Sequence, residues 1–248
     1  TLSSAVAAVC CDTAGVANAA PAYPNAAAKA LTVPTGYGVY GGAVFVGLGA
    51  TAPQSYSDSD DGGAAIGFGL GHPTRNVGVQ VHATMNDLSE TDDYSFGFKL
   101  QKFLPSCHTA IALGGDHLFS QFDGEDTPES FYLSTSRAVQ DWRFAGTNVS
   151  RLNFTLGVGS GKYALKSKAD QATGKGRHAS VVFGSAALAV HPQANLVADW
   201  SGHNLNAGVT VVPMAGVPLS LGFGLADLTS NSGDGIRAIA NVNYVYQF

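Results

Sequence analysis

The last thirteen residues, Ile236–Phe248, read IRAIANVNYVYQF and alternate with period two. Ile236, Ala238, Ala240, Val242, Tyr244, Tyr246 and Phe248 share one side, and Arg237, Asn241, Asn243 and Gln247 the other. Successive side chains of an extended chain point to opposite faces, so this segment is a strand with one apolar and one polar face. The same rhythm recurs upstream. In LNFTLGV, Leu152, Phe154, Leu156 and Val158 oppose Asn153, Thr155 and Gly157; Val77, Val79, Val81, Ala83 and Met85 oppose Gln80, His82, Thr84 and Asn86. Tyr94, Phe96, Phe98 and Leu100 oppose Ser95, Gly97, Lys99 and Gln101.

Runs of this kind, bounded by polar or Pro/Gly breaks, cover 37–50, 63–71, 76–86, 94–103, 108–119, 130–138, 151–160, 178–190, 195–200, 205–213, 217–228 and 236–248. That is about twelve strands, an even number. Residues 1–36 differ: they are Ala-rich, carry Pro21, Pro24 and Pro34, and have few large apolar side chains. The division expected is an irregular or partly helical N-terminal segment, 1–36, and a β-domain, 37–248. SSAVAAVCCDTAGVANAA reads as a signal-peptide remnant or a small-residue tail, and the segment as a plug, a periplasmic tail or such a remnant.

Glycine placement separates a soluble sandwich from a membrane barrel. A sandwich turns its second face to water and fills it with Thr, Lys, Glu and Ser. Here that face carries Gly67, Gly69, Gly71, Gly78, Gly97, Gly157, Gly159, Gly208, Gly222 and Gly224 among Asn, Ser and Thr. A closed sheet with a crowded concave face accounts for this, with bulky side chains toward lipid and small or polar ones toward a lumen. Charged residues are only 12% of the chain, about half the usual share of a soluble domain. No apolar run reaches the roughly 18 residues of a spanning helix. Tyr37, Tyr40, Tyr94, Phe103, Phe119, Phe131, Trp200 and Tyr244 are candidate interfacial anchors.

A terminal Phe preceded by aromatics at alternate positions resembles the C-terminal strand of Gram-negative outer-membrane β-barrel proteins. The resemblance is specific over the last ten or so residues and extends through strand pattern over 37–248. It implies an all-β, closed antiparallel transmembrane barrel, integral to the bacterial outer membrane and porin-like. Connection lengths agree, since such barrels have short periplasmic turns and longer outer loops. HPTR, LPSC, HPQA and MAG are short inner turns; TAPQSYSDSDDG, SQFDGEDTPE and GKYALKSKADQATGKGR are long outer ones, and SGHN, a tight outer hairpin, is an exception. VQDWRFAGTNVS is unexpectedly long for an inner turn, which suggests a misplaced strand boundary.

Fourteen of the 18 acidic residues fall in or beside the outward connections. Asp58, Asp60, Asp61, Glu90, Asp92, Asp93, Asp123, Glu125 and Asp126 would form an acidic rim that concentrates cations within roughly 8 to 10 Å. The expected function is a small, cation-preferring diffusion channel for hydrophilic solutes or ions. The alternative is a sealed anchoring or adhesin-like barrel acting through its outer loops. Pore-lining candidates are His82, Lys99, Gln101, Asp116, Asn153, Arg237, Asn241 and Asn243, because ionisable groups at membrane depth need water or a partner. Expected surroundings are outer-membrane lipid and lipopolysaccharide, with a homo-oligomer compatible. The net charge of −5 argues against a nucleic-acid partner.

No catalytic or cofactor motif emerges, so neither an enzyme nor a cofactor is expected. Asp58-Ser-Asp60-Asp61-Gly62 opens like a calcium loop, but Gly69 stands where its glutamate is required. GVGSGK lacks the spacing of a phosphate loop, and the seven histidines show no zinc spacing, so no metal site is expected. Asp199, Ser201 and His203 read as a polar turn rather than a triad. Cys107 lies in an expected periplasmic turn, where a disulfide to Cys10 or Cys11 would staple the N-terminal segment to the barrel.

Overall fold

The computed structural model describes residues 29–52, 61–85, 94–120, 128–147, 149–166, 171–174, 176–214, 217–229, 231 and 235–248. Twelve strands run Ala43–Ala52 (β1), Asp61–Gly71 (β2), Gly78–Met85 (β3), Tyr94–Leu104 (β4), Thr109–Leu118 (β5) and Ser130–Ala138 (β6). Leu152–Gly159 (β7), Val182–His191 (β8), Ala194–Trp200 (β9), Leu205–Val211 (β10), Leu219–Ala226 (β11) and Arg237–Gln247 (β12) complete the set. Each pairs antiparallel with its sequence neighbours, and β12 closes on β1 with Val46 opposite Tyr244 and Gly47 opposite Asn243. Closure leaves no sheet edge, the condition for crossing hydrocarbon with strands.

The alternation seen in the sequence becomes an outside and an inside. Ile66, Phe68, Leu70, Leu113, Leu133, Phe154, Leu156, Phe223 and Leu225 are exposed on the outer wall, where in water they would carry an unfavourable apolar surface. Their strand neighbours Ser134, Ser136, Asn153, Thr155, Asn195, Asp199 and Asn206 are buried within. The apolar core also lies inside the barrel: Tyr132, Tyr163 and Phe183 pack together with Val33, and Tyr163 and Phe183 stand 4.4 Å apart, ring to ring. Inward glycines supply the seats for these rings. A side chain at Gly157 would collide with Phe183, at Gly159 with Tyr163, and at Gly114 with Tyr132.

The end carrying the short turns and both barrel termini is the periplasmic one. The turn between β6 and β7 is long in its own right, and no strand boundary is misplaced. Residues 139–147 and 149–151 form the two sides of a small hairpin with Arg143 bridged to Ser150, and Arg151 N–H donates to the Trp142 carbonyl at 2.7 Å. Two other boundaries differ from the sequence runs by more than two residues. β8 starts at Val182 because Val181 takes φ 57° and Leu165 bridges His178, which makes 178–181 part of the outer connection. β1 starts at Ala43, not Tyr37, because residues 29–40 run through the lumen and turn into the wall at Gly41 and Gly42, with φ 70° and 83°. Tyr37 and Phe103 therefore are not interfacial anchors: both are buried inside, packed with Ala110.

Candidate functional site: the lumen and its strap

A strap of residues 29–40 occupies part of the lumen, and its path can be followed by its bonds. Lys29 Nζ donates to Asn195 Oδ1 at 2.8 Å, and Ser185 Oγ donates to the Lys29 carbonyl at 3.0 Å. Asp199 Oδ2 then accepts the N–H groups of Leu31 at 2.8 Å and Thr32 at 2.7 Å, together with the Thr32 hydroxyl. Asn206 Nδ2 donates to Thr32 Oγ1 at 2.9 Å. Asp199 lies near the outer end of β9, so the strap has climbed most of the barrel by this point. Val33 enters the Tyr132, Tyr163 and Phe183 cluster, and the chain descends again.

The descent runs along the opposite wall. Gly36 N–H donates to Ser136 Oγ at 2.8 Å, and a Cβ at Gly36 would meet the Ala110 main chain. Tyr37 OH donates to Asn153 Oδ1 at 3.1 Å. Lys99 Nζ donates to the carbonyls of Thr35 at 3.2 Å and Tyr37 at 3.0 Å. Val39 is held from both sides, its N–H by Gln80 Oε1 and its carbonyl by Gln101 Nε2, each at 2.9 Å. A strap without secondary structure has main-chain donors and acceptors that must be satisfied once buried, and the inward polar side chains of the wall do this.

Near the outer end sits the main cluster of inward charge. Asp116 accepts from Lys162 Nζ at 3.3 Å, and its other oxygen is 3.7 Å from His82 Nε2. Lys162 belongs to the single 3-10 turn Gly161–Tyr163, which the outer connection folds inward. Burial by itself would lower the Lys162 pKa, but proximity to Tyr163 and the Asp116 carboxylate outweighs it and holds the ammonium above the ordinary lysine range. Lys162 therefore stays charged at physiological pH.

Beside the strap a cavity of about 560 Å³ remains. Its lining extends from Asp116, Lys162 and Tyr163 near the outer end to Pro218, Val245 and Gln247 near the periplasmic end, with Lys99 and Asn243 between them. The other pore-lining candidates fall into place around this. Gln101 and Asn153 hold the strap, His82 pairs with Asp116, and Asn241 is linked to Asn243 through a 3.4 Å hydrogen bond. Arg237 is buried against Asp227, whose carboxylate both its Nε and its Nη2 reach.

Several strap-holding residues escaped the sequence reading: Gln80, Ser136, Ser185, Asn195 and Asn206, and Asp199 was assigned to a turn. Their signal was present, since in ANLVADW Asn195 and Asp199 share the face opposite Leu196. Of the acidic rim, Asp58, Asp60, Glu90, Asp92, Asp93, Asp123, Glu125 and Asp126 lie outside the described residues, and Asp61 opens β2. Cys10 and Cys11 also lie outside them; Cys107 is buried in the 3-10 turn Pro105–Cys107. Among the described residues no group of three His, Cys, Asp or Glu side chains is placed to hold a metal ion.

No protein-family model matches the chain, and no curated protein matches it in sequence. Solved structures do. The KdgM porin in complex with disordered oligogalacturonate is similar at TM-score 0.47 and 8% identity, covering 83% of this chain and 99% of that one. The COG4313 outer membrane channel from Pseudomonas putida F1 gives TM-score 0.45 and 10% identity, over 92% and 100% of the two chains. The outer membrane phospholipase of Salmonella typhi, a dimer with bound calcium, gives 0.44 and 10% over 82% and 89%. The last corrects the expectation that no enzyme is involved, because an enzyme stands among the similar structures and the barrel therefore does not exclude one. With a closed twelve-stranded antiparallel wall, an apolar belt outside and a polar interior, the chain is an integral outer-membrane β-barrel protein.

Proposed function

We propose that the barrel is a narrow diffusion channel for small hydrophilic solutes or ions, constricted by the strap. The observation that carries this is the cavity beside residues 30–40, whose lining includes residues from both ends of the barrel. Residues 1–36 are read as including the partial plug. The strap narrows the passage, and the wall charges Lys99, Lys162 and Asp116 face what remains. Selectivity then follows from width and charge. Preference for cations is proposed to arise at the outer mouth, where the acidic connections gather. Inside, Asp116 is paired with Lys162, and Asp199 is occupied by the N–H groups of the strap.

The eight residues His82, Lys99, Gln101, Asp116, Asn153, Arg237, Asn241 and Asn243 are proposed as the polar lining: Lys99, Gln101, Asp116, Asn153 and Asn243 act on the strap or the open cavity, His82 acts on Asp116, and Asn241 and Arg237 are wall supports. The belt would be bathed in outer-membrane lipid and, in the outer leaflet, lipopolysaccharide. A second reading, a sealed barrel acting through its outer connections, is favoured by the number of bonds that anchor the strap. Single-channel recording of the purified chain in a planar bilayer separates the two. Stable conductance steps with a cation-selective reversal potential support the channel. Silence from protein shown to be folded by heat-modifiable migration supports the sealed barrel.

A further inference from the structure

Among the described residues, four charged side chains line the cavity: Lys99, Lys102, Asp116 and Lys162. Three of them have their partners. Asp116 is shared between Lys162 Nζ at 3.3 Å and His82 Nε2 at 3.7 Å, and Lys102 donates to the carbonyls of Thr74, Arg75 and Asn76. Lys99 differs. Its bonds go to two neutral carbonyls, those of Thr35 and Tyr37, and among the described residues no carboxylate lies within 4.0 Å of its nitrogen. An ammonium has three donors, so one of them and the positive charge remain for the cavity. A charge withdrawn from bulk water without a counter-ion is costly, and an anion beside it removes that cost.

A second donor stands beside it. Gln80 on β3 is the direct cross-strand partner of Lys99 on β4, and both line the cavity. Directly opposed side chains on one face have Cβ atoms about 4.5–5.5 Å apart. The strap marks where they converge: a Cβ at Gly38 would lie 2.9 Å from Gln80 Oε1, 2.9 Å from Gln101 Oε1 and 3.0 Å from Lys99 Cδ. Gln101 spends its amide nitrogen on the Val39 carbonyl. Gln80 accepts Val39 N–H through Oε1, and its own amide nitrogen makes no bond among the described residues. One ammonium donor and one amide donor are thus left side by side, enough for the two oxygens of a carboxylate.

We propose that this place binds the carboxylate of a small organic monoanion, one oxygen on the Lys99 ammonium and the other on the Gln80 amide. A charge-assisted bond to the ammonium supplies most of the attraction. A single negative charge is favoured because Asp116 lines the same cavity and repels a second one. An organic anion is favoured because Tyr40 and Phe45 give the lining an apolar part for its carbon skeleton. Lys99 is five residues from the outer end of β4, about 16 Å along the strand, so the acidic connections are screened from it. The proposal rests on the open lumen of the channel reading, but binding is measured without current.

The test uses the full chain in neutral detergent at neutral pH, with thermal unfolding followed by heat-modifiable migration. Sodium propionate at about 0.1 M should raise the midpoint by about 3 °C beyond equal sodium chloride, as expected for a ligand that binds only the folded state at roughly tenfold its Kd. Propionamide, of the same shape without the charge, should give no rise. Q80E keeps an acceptor for Val39 N–H and sets a carboxylate beside Lys99, so it should fold and lose the increment. K99M should lose it too, while R177Q, in the outer connection, keeps it; should K99M not fold, Q80E decides. Equal midpoints in propionate and chloride overturn the proposal. So does a rise matched by propionamide, or an increment unchanged in Q80E. Single-channel recording keeps the two readings apart: an increment in a silent barrel leaves the site standing without transport, and conduction without an increment leaves the channel standing without the site.

Discussion

Asp199 and Thr32, 167 positions apart, are joined by a 2.7 Å hydrogen bond from the Thr32 main-chain N–H to the Asp199 carboxylate. The bond fixes the highest point of a strap inside a barrel whose wall is otherwise self-sufficient in hydrogen bonds. Because the same oxygen also accepts Leu31 N–H and the Thr32 hydroxyl, one side chain governs the strap's apex.

Replacing Asp199 by Ala leaves these donors without their acceptor, and a buried donor left unmade costs about 1–3 kcal/mol. The strap rather than the wall should give way. D199A should therefore remain a heat-modifiable barrel while its unitary conductance rises severalfold. Conductance equal to that of the parent would show that the strap does not limit the passage.

Lys99 combines two roles, holding the Thr35 and Tyr37 carbonyls and facing the open cavity. Removing a unit charge about 7 Å from a permeating ion in water changes its energy by about 0.6 kcal/mol, a factor of roughly three. K99M should shift the permeability ratio toward cations by about that factor. Reversal potentials in a tenfold salt gradient measure it.

Gly157 gives its space to the Phe183 ring. G157A puts a methyl group into that contact, and overpacking of this kind costs about 1–3 kcal/mol. Its unfolding midpoint should fall. F183A removes the ring and creates a cavity instead, so G157A should cost little in the F183A background. Additive losses in the double variant would mean that the two positions do not share one space.

Cation preference generated by acidic outer connections is a surface effect and should be screened. The Debye length falls from about 10 Å at 0.1 M salt to about 3 Å at 1 M. Selectivity measured at 1 M should accordingly be much weaker than at 0.1 M. A preference that persists unchanged would locate the filter deeper in the lumen.

The sequence by itself determined the wall. Period-two alternation, bounded by polar breaks, dictates which residues extend and which face each presents, and this depends only on neighbours along the chain. The inward glycines, the short periplasmic turns and the terminal aromatics of β12 follow the same local logic, so the strand runs and the closed barrel were legible before any coordinates. The inward position of Lys99, Gln101 and Asn153 was legible too, as a matter of parity.

Only the tertiary structure decided what those inward groups touch. Residues 29–40 have no periodicity, because their hydrogen bonds go to side chains on β3, β4, β6, β7, β8, β9 and β10 rather than to a ladder. Such partners are set by closure of the barrel, which brings Thr32 to Asp199 and Tyr37 to Asn153 across more than a hundred positions. Tyr37 shows the limit most directly. Its sequence context reads as the start of a strand, yet it is buried beside Phe103 because a folded barrel offers it an apolar seat and an amide partner inside.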